Sequence, residues 1–142
     1  LSEYAGECQT VTVMGSGASI NEYVIHQTEM LVKLMGLGAK WLTAFNDNDQ
    51  HVIRVEYADG RKANIVFVSN YGTPTAFIPY KKDGKSKFVQ VTSSFFKSLM
   101  ADILKFYESG ELPFDSRETL EVMKVRDAII KSEKISEQWI EI

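Results

Sequence analysis

Ser19-Ile-Asn-Glu-Tyr-Val-Ile-His-Gln-Thr-Glu-Met-Leu-Val-Lys-Leu-Met-Gly36 reads as one helix with two unlike sides. At about 100° per residue, Glu22, His26, Glu29 and Lys33 fall in a narrow polar stripe. Ile20, Tyr23, Val24, Met30, Leu31 and Leu34 gather opposite, as a helix lying on a core requires. Ser19 and Glu22 stand at capping-box spacing, which predicts the serine side chain on one amide and the glutamate reaching back to another. Gly36 and Gly38 predict the stop, since glycine takes the left-handed backbone that closes a helix.

Outward from this helix the pattern changes to strands. Residues 9–14, Gln-Thr-Val-Thr-Val-Met, alternate β-branched side chains and end at Gly15-Ser16-Gly17. Residues 40–45, 52–57, 62–69, 75–80 and 87–92 read as further strands, with Asp59-Gly60 and Asp83-Gly84 as hairpin turns. Several are apolar on both faces: Ile65 and Phe67 point one way, Val66 and Val68 the other, and Phe77 and Ile78 are likewise opposed. A sheet with one wet face would alternate with polar residues. A helix is predicted over 94–108, with Phe95, Leu99, Ile103 and Phe106 at helical spacing. A last helix opens at Asp115 or Ser116 and buries Leu120, Met123, Ala128 and Ile130, before a short terminal strand over 138–142. The expectation is one α+β domain spanning 1–142: a mostly antiparallel sheet of about six strands, helices on one face, and the other face covered by another domain or another subunit.

Composition narrows the function classes. A chain of 142 residues with 44% hydrophobic and 25% charged residues is a single globular domain's worth. Its net charge of -3 gives no phosphate-neutralising surface, so nucleic acid is not an expected partner. The longest apolar runs fall far short of the roughly 20 residues that span a bilayer. Cys8 is the only cysteine, so no internal disulfide can form, which fits a reducing, cytoplasmic setting. Leu1-Ser2-Glu3-Tyr4 is neither an initiator methionine nor a signal peptide, and the expectation is a piece of a longer protein.

Four constellations bear on chemistry. Gly15-Ser16-Gly17 between strand and helix has the look of a dinucleotide-binding turn, but Ile20 stands at the third glycine position and Glu22 would oppose the phosphates. A plain connection is the preferred reading. Glu22 one turn before His26 suits proton transfer, because a nearby carboxylate favours the protonated ring and histidine exchanges protons near neutral pH. The competing reading is a solvated stripe in which Glu22 serves the cap. Asp47, Asp49 and His51 alternate within what reads as a loop, and no metal is expected there. Tyr71, Phe77, Tyr80 and Phe88 suit sugar stacking or core packing.

The ordered set of residues says more than the spacings. Residues 23–36, then Gly38-Ala-Lys, then Val55-Glu-Tyr-Ala-Asp-Gly-Arg61, then the segment from Ile103 through Gly110, Pro113 and Phe114 to Met123, resembles the C-terminal domain of the glucose–fructose oxidoreductase and inositol dehydrogenase family, Gfo/Idh/MocA. The resemblance runs from about Gly17 to the end. It implies a dehydrogenase of two domains: an N-terminal Rossmann domain binding NAD or NADP, absent from this chain, and this domain closing the substrate cleft and oligomerising through its open sheet. Sugars, cyclitols and related polyols are the implied substrates. The family's Asp-x-x-x-His pair corresponds to Glu22-Tyr-Val-Ile-His26, which makes His26 the implied catalytic residue. The change from aspartate leaves the role of Glu22 open. Asn21, Tyr23 and Gln27 are the implied substrate contacts. No cofactor is expected to bind this chain itself, and the alternative reading is a non-catalytic binding or scaffolding module with the same fold.

Overall fold

Strand β1 (Cys8–Ser16) is the hinge of the architecture. In a computed structural model describing residues 1–92 and 95–142, it pairs in parallel with β4 (Lys62–Val68) and antiparallel with β5 (Ala76–Lys81). β2 (Ala39–Asp47) and β3 (Gln50–Tyr57) continue the sheet beyond β4. β6 (Val89–Gln90) and β7 (Ile140–Glu141) close its edges, giving seven strands in the order β6-β5-β1-β4-β3-β2-β7. The sheet is thus mostly antiparallel, as expected, with one parallel pair. Crossing from β1 to β4 requires the helix α1 (Ile20–Met35) and the β2–β3 hairpin between them.

The core lies between one sheet face and two helices, α1 and α3 (Ser116–Ser132). Val11, Val13, Ile53, Val55, Ile65, Phe67 and Phe77 from the strands meet Val24, Leu31 and Leu34 of α1 and Val125 and Ile129 of α3, all essentially without solvent contact. Val66, Val68 and Ile78 point to the opposite, half-exposed face.

Four expectations need correction. The helix expected over 94–108 forms as α2 (Phe95–Ser109), Ser94 lying outside the described residues, but among the described residues it buries none of its side chains and has no extensive packing on sheet or core. Only two helices therefore cover the sheet. On α3 the buried arc is Glu121, Val122, Val125, Ala128, Ile129 and Ser132, whereas Leu120 and Met123 are exposed and Ile130 is half-buried. The strand expected over 87–92 pairs only at Val89 and Gln90. The reciprocal cap of α1 is absent: Ser19 Oγ donates to the Glu22 carboxylate at 3.2 Å and accepts from no helix amide among the described residues. The stop at Gly36, φ 75°, and the turns at Gly60 and Gly84 follow the expectation. Among the described residues no helix is long and apolar enough to cross a membrane.

Candidate functional site

The first three turns of α1 set out the site. Their inner side is anchored by two glycines: a Cβ at Gly15 would lie 2.0 Å from Gln27 Nε2, and one at Gly17 would lie 2.2 Å from Tyr23 Cγ. Glycine here lets helix side chains press onto the strand and its exit. The same contact answers the question of a dinucleotide turn. Gly17 N–H donates to Val68 O at 3.4 Å and the glycine faces are covered by Tyr23 and Gln27, so these residues do not fit a pyrophosphate.

The outer side carries the polar stripe. His26 and Glu29 are both more than half exposed, with Nδ1 3.6 Å from Glu29 Oε2. The carboxylate nearest the imidazole is thus Glu29, one turn later, and Glu22 is engaged by Ser19. Lys33 reaches α3 and pairs with Glu118 at 3.2 Å. Arg126 of α3 donates to Asn21 O at 2.5 Å and ties the start of α1 to its neighbour, leaving the Asn21 side chain exposed.

A residue from far along the chain joins this stripe. Ser16 Oγ donates to Thr73 O at 2.9 Å, which draws the loop after β4 onto the end of β1. That loop places Tyr71 against Tyr23, hydroxyl to hydroxyl at 3.3 Å with the rings edge to face, and Tyr23 in turn stands edge to face with His26. The hydrogen bond from Tyr71 to Tyr23 holds the Tyr71 proton and raises its pKa, with partial desolvation in the same direction. Of the four aromatic candidates only Tyr71 arrives here. Phe77 is in the core, and Tyr80 and Phe88 are exposed, on β5 and just before β6.

Gln27, one position after His26, behaves differently from its neighbours. It is 1% exposed, and its Oε1 has no hydrogen-bond partner among the described residues. It is among the residues lining a cleft of about 910 Å³, together with His26, Ser16, Thr75, Phe95 and Leu99 of α2, and Phe114 before α3. The cleft offers an imidazole at His26 and a buried acceptor at Gln27, and the Tyr23–Tyr71 pair stands beside His26 but outside the cleft lining. Asp47, Asp49 and His51 are not gathered: His51 is buried with Nδ1 3.0 Å from Asn46 Oδ1, and Asp47 accepts from Asn48.

No family model matches the chain, and no curated protein sequence matches it. Solved structures do. A myo-inositol dehydrogenase from Corynebacterium glutamicum superposes with a TM-score of 0.73 at 12% identity, over 99% of this chain and 58% of that one. GenD2 from gentamicin A biosynthesis, in complex with NAD, gives a TM-score of 0.77 at 12% identity over 99% of this chain and 57% of its own. The fold is that of the C-terminal domain of Gfo/Idh/MocA-type dehydrogenases. An aldose-aldose oxidoreductase from Caulobacter crescentus, complexed with glycerol, shares this Gfo/Idh/MocA fold with a TM-score of 0.67 at 12% identity, over 98% of this chain and 57% of that one. The chain therefore spans little more than half the length of the Gfo/Idh/MocA structures it matches.

Proposed function

We propose that this chain is the substrate-binding and oligomerisation domain of an NAD- or NADP-dependent oxidoreductase acting on a sugar, cyclitol or related polyol. The observation that carries the reading is an exposed His26 on α1 beside Tyr23, which in turn meets Tyr71, in a fold shared with dehydrogenases. In it His26 exchanges a proton with a substrate hydroxyl, while Asn21, Tyr23 and Gln27 hold the substrate. NAD or NADP, held by a nucleotide-binding domain outside this chain, would supply the hydride chemistry. Glu29, with Oε2 3.6 Å from Nδ1, orients the imidazole, and Glu22 has a lesser part.

In the intact protein, His26→Ala is expected to lower kcat by about two to four powers of ten if the ring is a general acid or base. Unchanged turnover at saturating substrate would reduce His26 to a surface residue. A second reading, a binding or scaffolding module without redox chemistry, is favoured by one observation: Glu22 is occupied by Ser19 and does not pair with His26. Reading the encoded residues upstream of Leu1 separates the two, since only the first requires a Gly-x-Gly-x-x-Gly strand–helix unit there. The open sheet face supports association between copies. Phe45, Val52, Val66 and Met14 stand side by side across four strands in one register row of that face. A cytoplasmic location is part of the same proposal.

A further inference from the structure

Tyr71 is 72% exposed, yet the loop that carries it is tied at both ends. Ser69 N–H donates to Asp49 O at 2.7 Å and Ser16 Oγ to Thr73 O at 2.9 Å, while between them Gly72 N–H donates to Asn70 Oδ1 at 2.8 Å. Tyr23 is fixed as well, its ring seated on Gly17, where a Cβ would stand only 2.2 Å away. The two hydroxyls meet at 3.3 Å, with ring centroids 5.9 Å apart, edge to face. We propose that Tyr71 is a positioning residue: it fills the acceptor side of the Tyr23 phenol, so that Tyr23 gives its own proton to a second oxygen of the substrate that His26 serves.

The direction of the hydrogen bond decides the roles. A phenol has one proton to give and an oxygen that accepts. The bond to Tyr23 raises the Tyr71 pKa, as it does for a phenol that donates, and the Ala18 amide facing the Tyr71 oxygen pulls partly the other way. Tyr23 therefore accepts, and among the described residues nothing takes its own proton. Its other aromatic neighbour is His26, with ring centroids 6.3 Å apart. A phenol and an imidazole side by side at the rim of the cleft suit two oxygens of one polyol, one exchanging its proton at His26 and the other accepting from Tyr23. Without the Tyr71 hydroxyl the Tyr23 ring would stay on Gly17, but its O–H would be free to rotate. The role given to Tyr71 rests on the proposed function; the bond between the two phenols does not.

Ring-preserving substitutions in the full-length polypeptide test the role, with a panel of cyclitols and aldoses and NAD+ or NADP+ as oxidant. On a polyol that turns over, Tyr23→Phe is expected to lower kcat/KM about tenfold or more, Tyr71→Phe by nearly the same factor, and the double variant no further than Tyr23→Phe alone. Wild-type rates for Tyr71→Phe, with loss only in Tyr71→Ala, would reduce Tyr71 to packing and overturn the inference. So would single losses that multiply in the double variant. Turnover indifferent to both tyrosines would sink the role and leave the proposed function standing, whereas a protein that turns over none of the panel would sink both. The bond is read separately in the 142-residue chain, by nuclear magnetic resonance of ring-labelled tyrosine: Tyr71 is expected to titrate above a free phenol, and Tyr23→Phe to bring it down. A Tyr71 titration unmoved by that substitution would overturn the proposal.

Discussion

His51 and His26 show how one residue type takes two roles. His26 stands in solvent beside Glu29, whereas His51 is 5% exposed, packed on Phe67 and bonded through Nδ1 to Asn46. Burial lowers the His51 pKa from its usual 6.5, with Glu133 and Asp49 opposing that shift in part. The unfolded chain therefore binds this proton more readily than the folded one below pH 6.5. Stability should be full above that pH and fall as the pH drops from 6.5 toward the lowered folded value. Thermal unfolding between pH 5 and 7 should show this slope, and His51→Gln, which keeps a donor for Asn46, should flatten it. Equal slopes for the two proteins would contradict the assignment. The residue scale is also where the sequence was least legible. His26, Glu29 and Lys33 are read from helical spacing alone, but Tyr71 meets Tyr23 through a loop that Ser16 ties down at Thr73, a contact 57 residues apart in the chain. No local pattern announces it.

At the level of elements, α1 was readable because its two stripes are cleanly separated. α3 was not, because its apolar residues lie on opposite sides. Glu121 and Ser132 sit inside the buried arc while Leu120 and Met123 sit outside it, so hydrophobicity alone points to the wrong face. Glu121 is buried for a reason that belongs to the neighbouring turn. Its Oε1 accepts from the Gly38 and Ala39 amides, each at 2.7 Å, just after α1 ends. Arg61 donates to Met35 O at the same helix end. One carboxylate thus fixes the angle between α1 and β2. Glu121→Ala should cost about 2 kcal/mol in urea unfolding, since two amides lose a charged acceptor, and Glu121→Gln should recover part of that. A loss below about 0.5 kcal/mol for the alanine variant would mean that water replaces the carboxylate without penalty. α2 shows the opposite limit. Its existence follows from periodicity, but periodicity does not say what a helix packs against.

For the whole molecule, the α+β class and the two-faced strands were legible from the alternation of Ile65 and Phe67 with Val66 and Val68. The parallel pairing of β1 with β4 was not, because strand order depends on which edges remain free once hairpins have formed. The open face mixes the Phe45–Val52–Val66–Met14 row with the adjoining Thr43–Arg54–Asn64–Thr12 row. An apolar band of that kind beside a polar one suits a specific interface between copies more than general stickiness. Sedimentation at tens of micromolar should show a dimer or larger, and Val52→Lys should shift it toward monomer. A clean wild-type monomer would remove oligomerisation from the proposal.

The division of labour between this fold and a separate nucleotide-binding body is the claim on which the rest depends, and calorimetric titration of NADH and NADPH tests it. The account predicts heat of binding from at least one of them with the full-length protein and none with the 142-residue chain, whose Gly15-Ser16-Gly17 segment is filled by Gln27 and Tyr23. Saturable binding by the short chain, or no binding by the full-length protein, would contradict it.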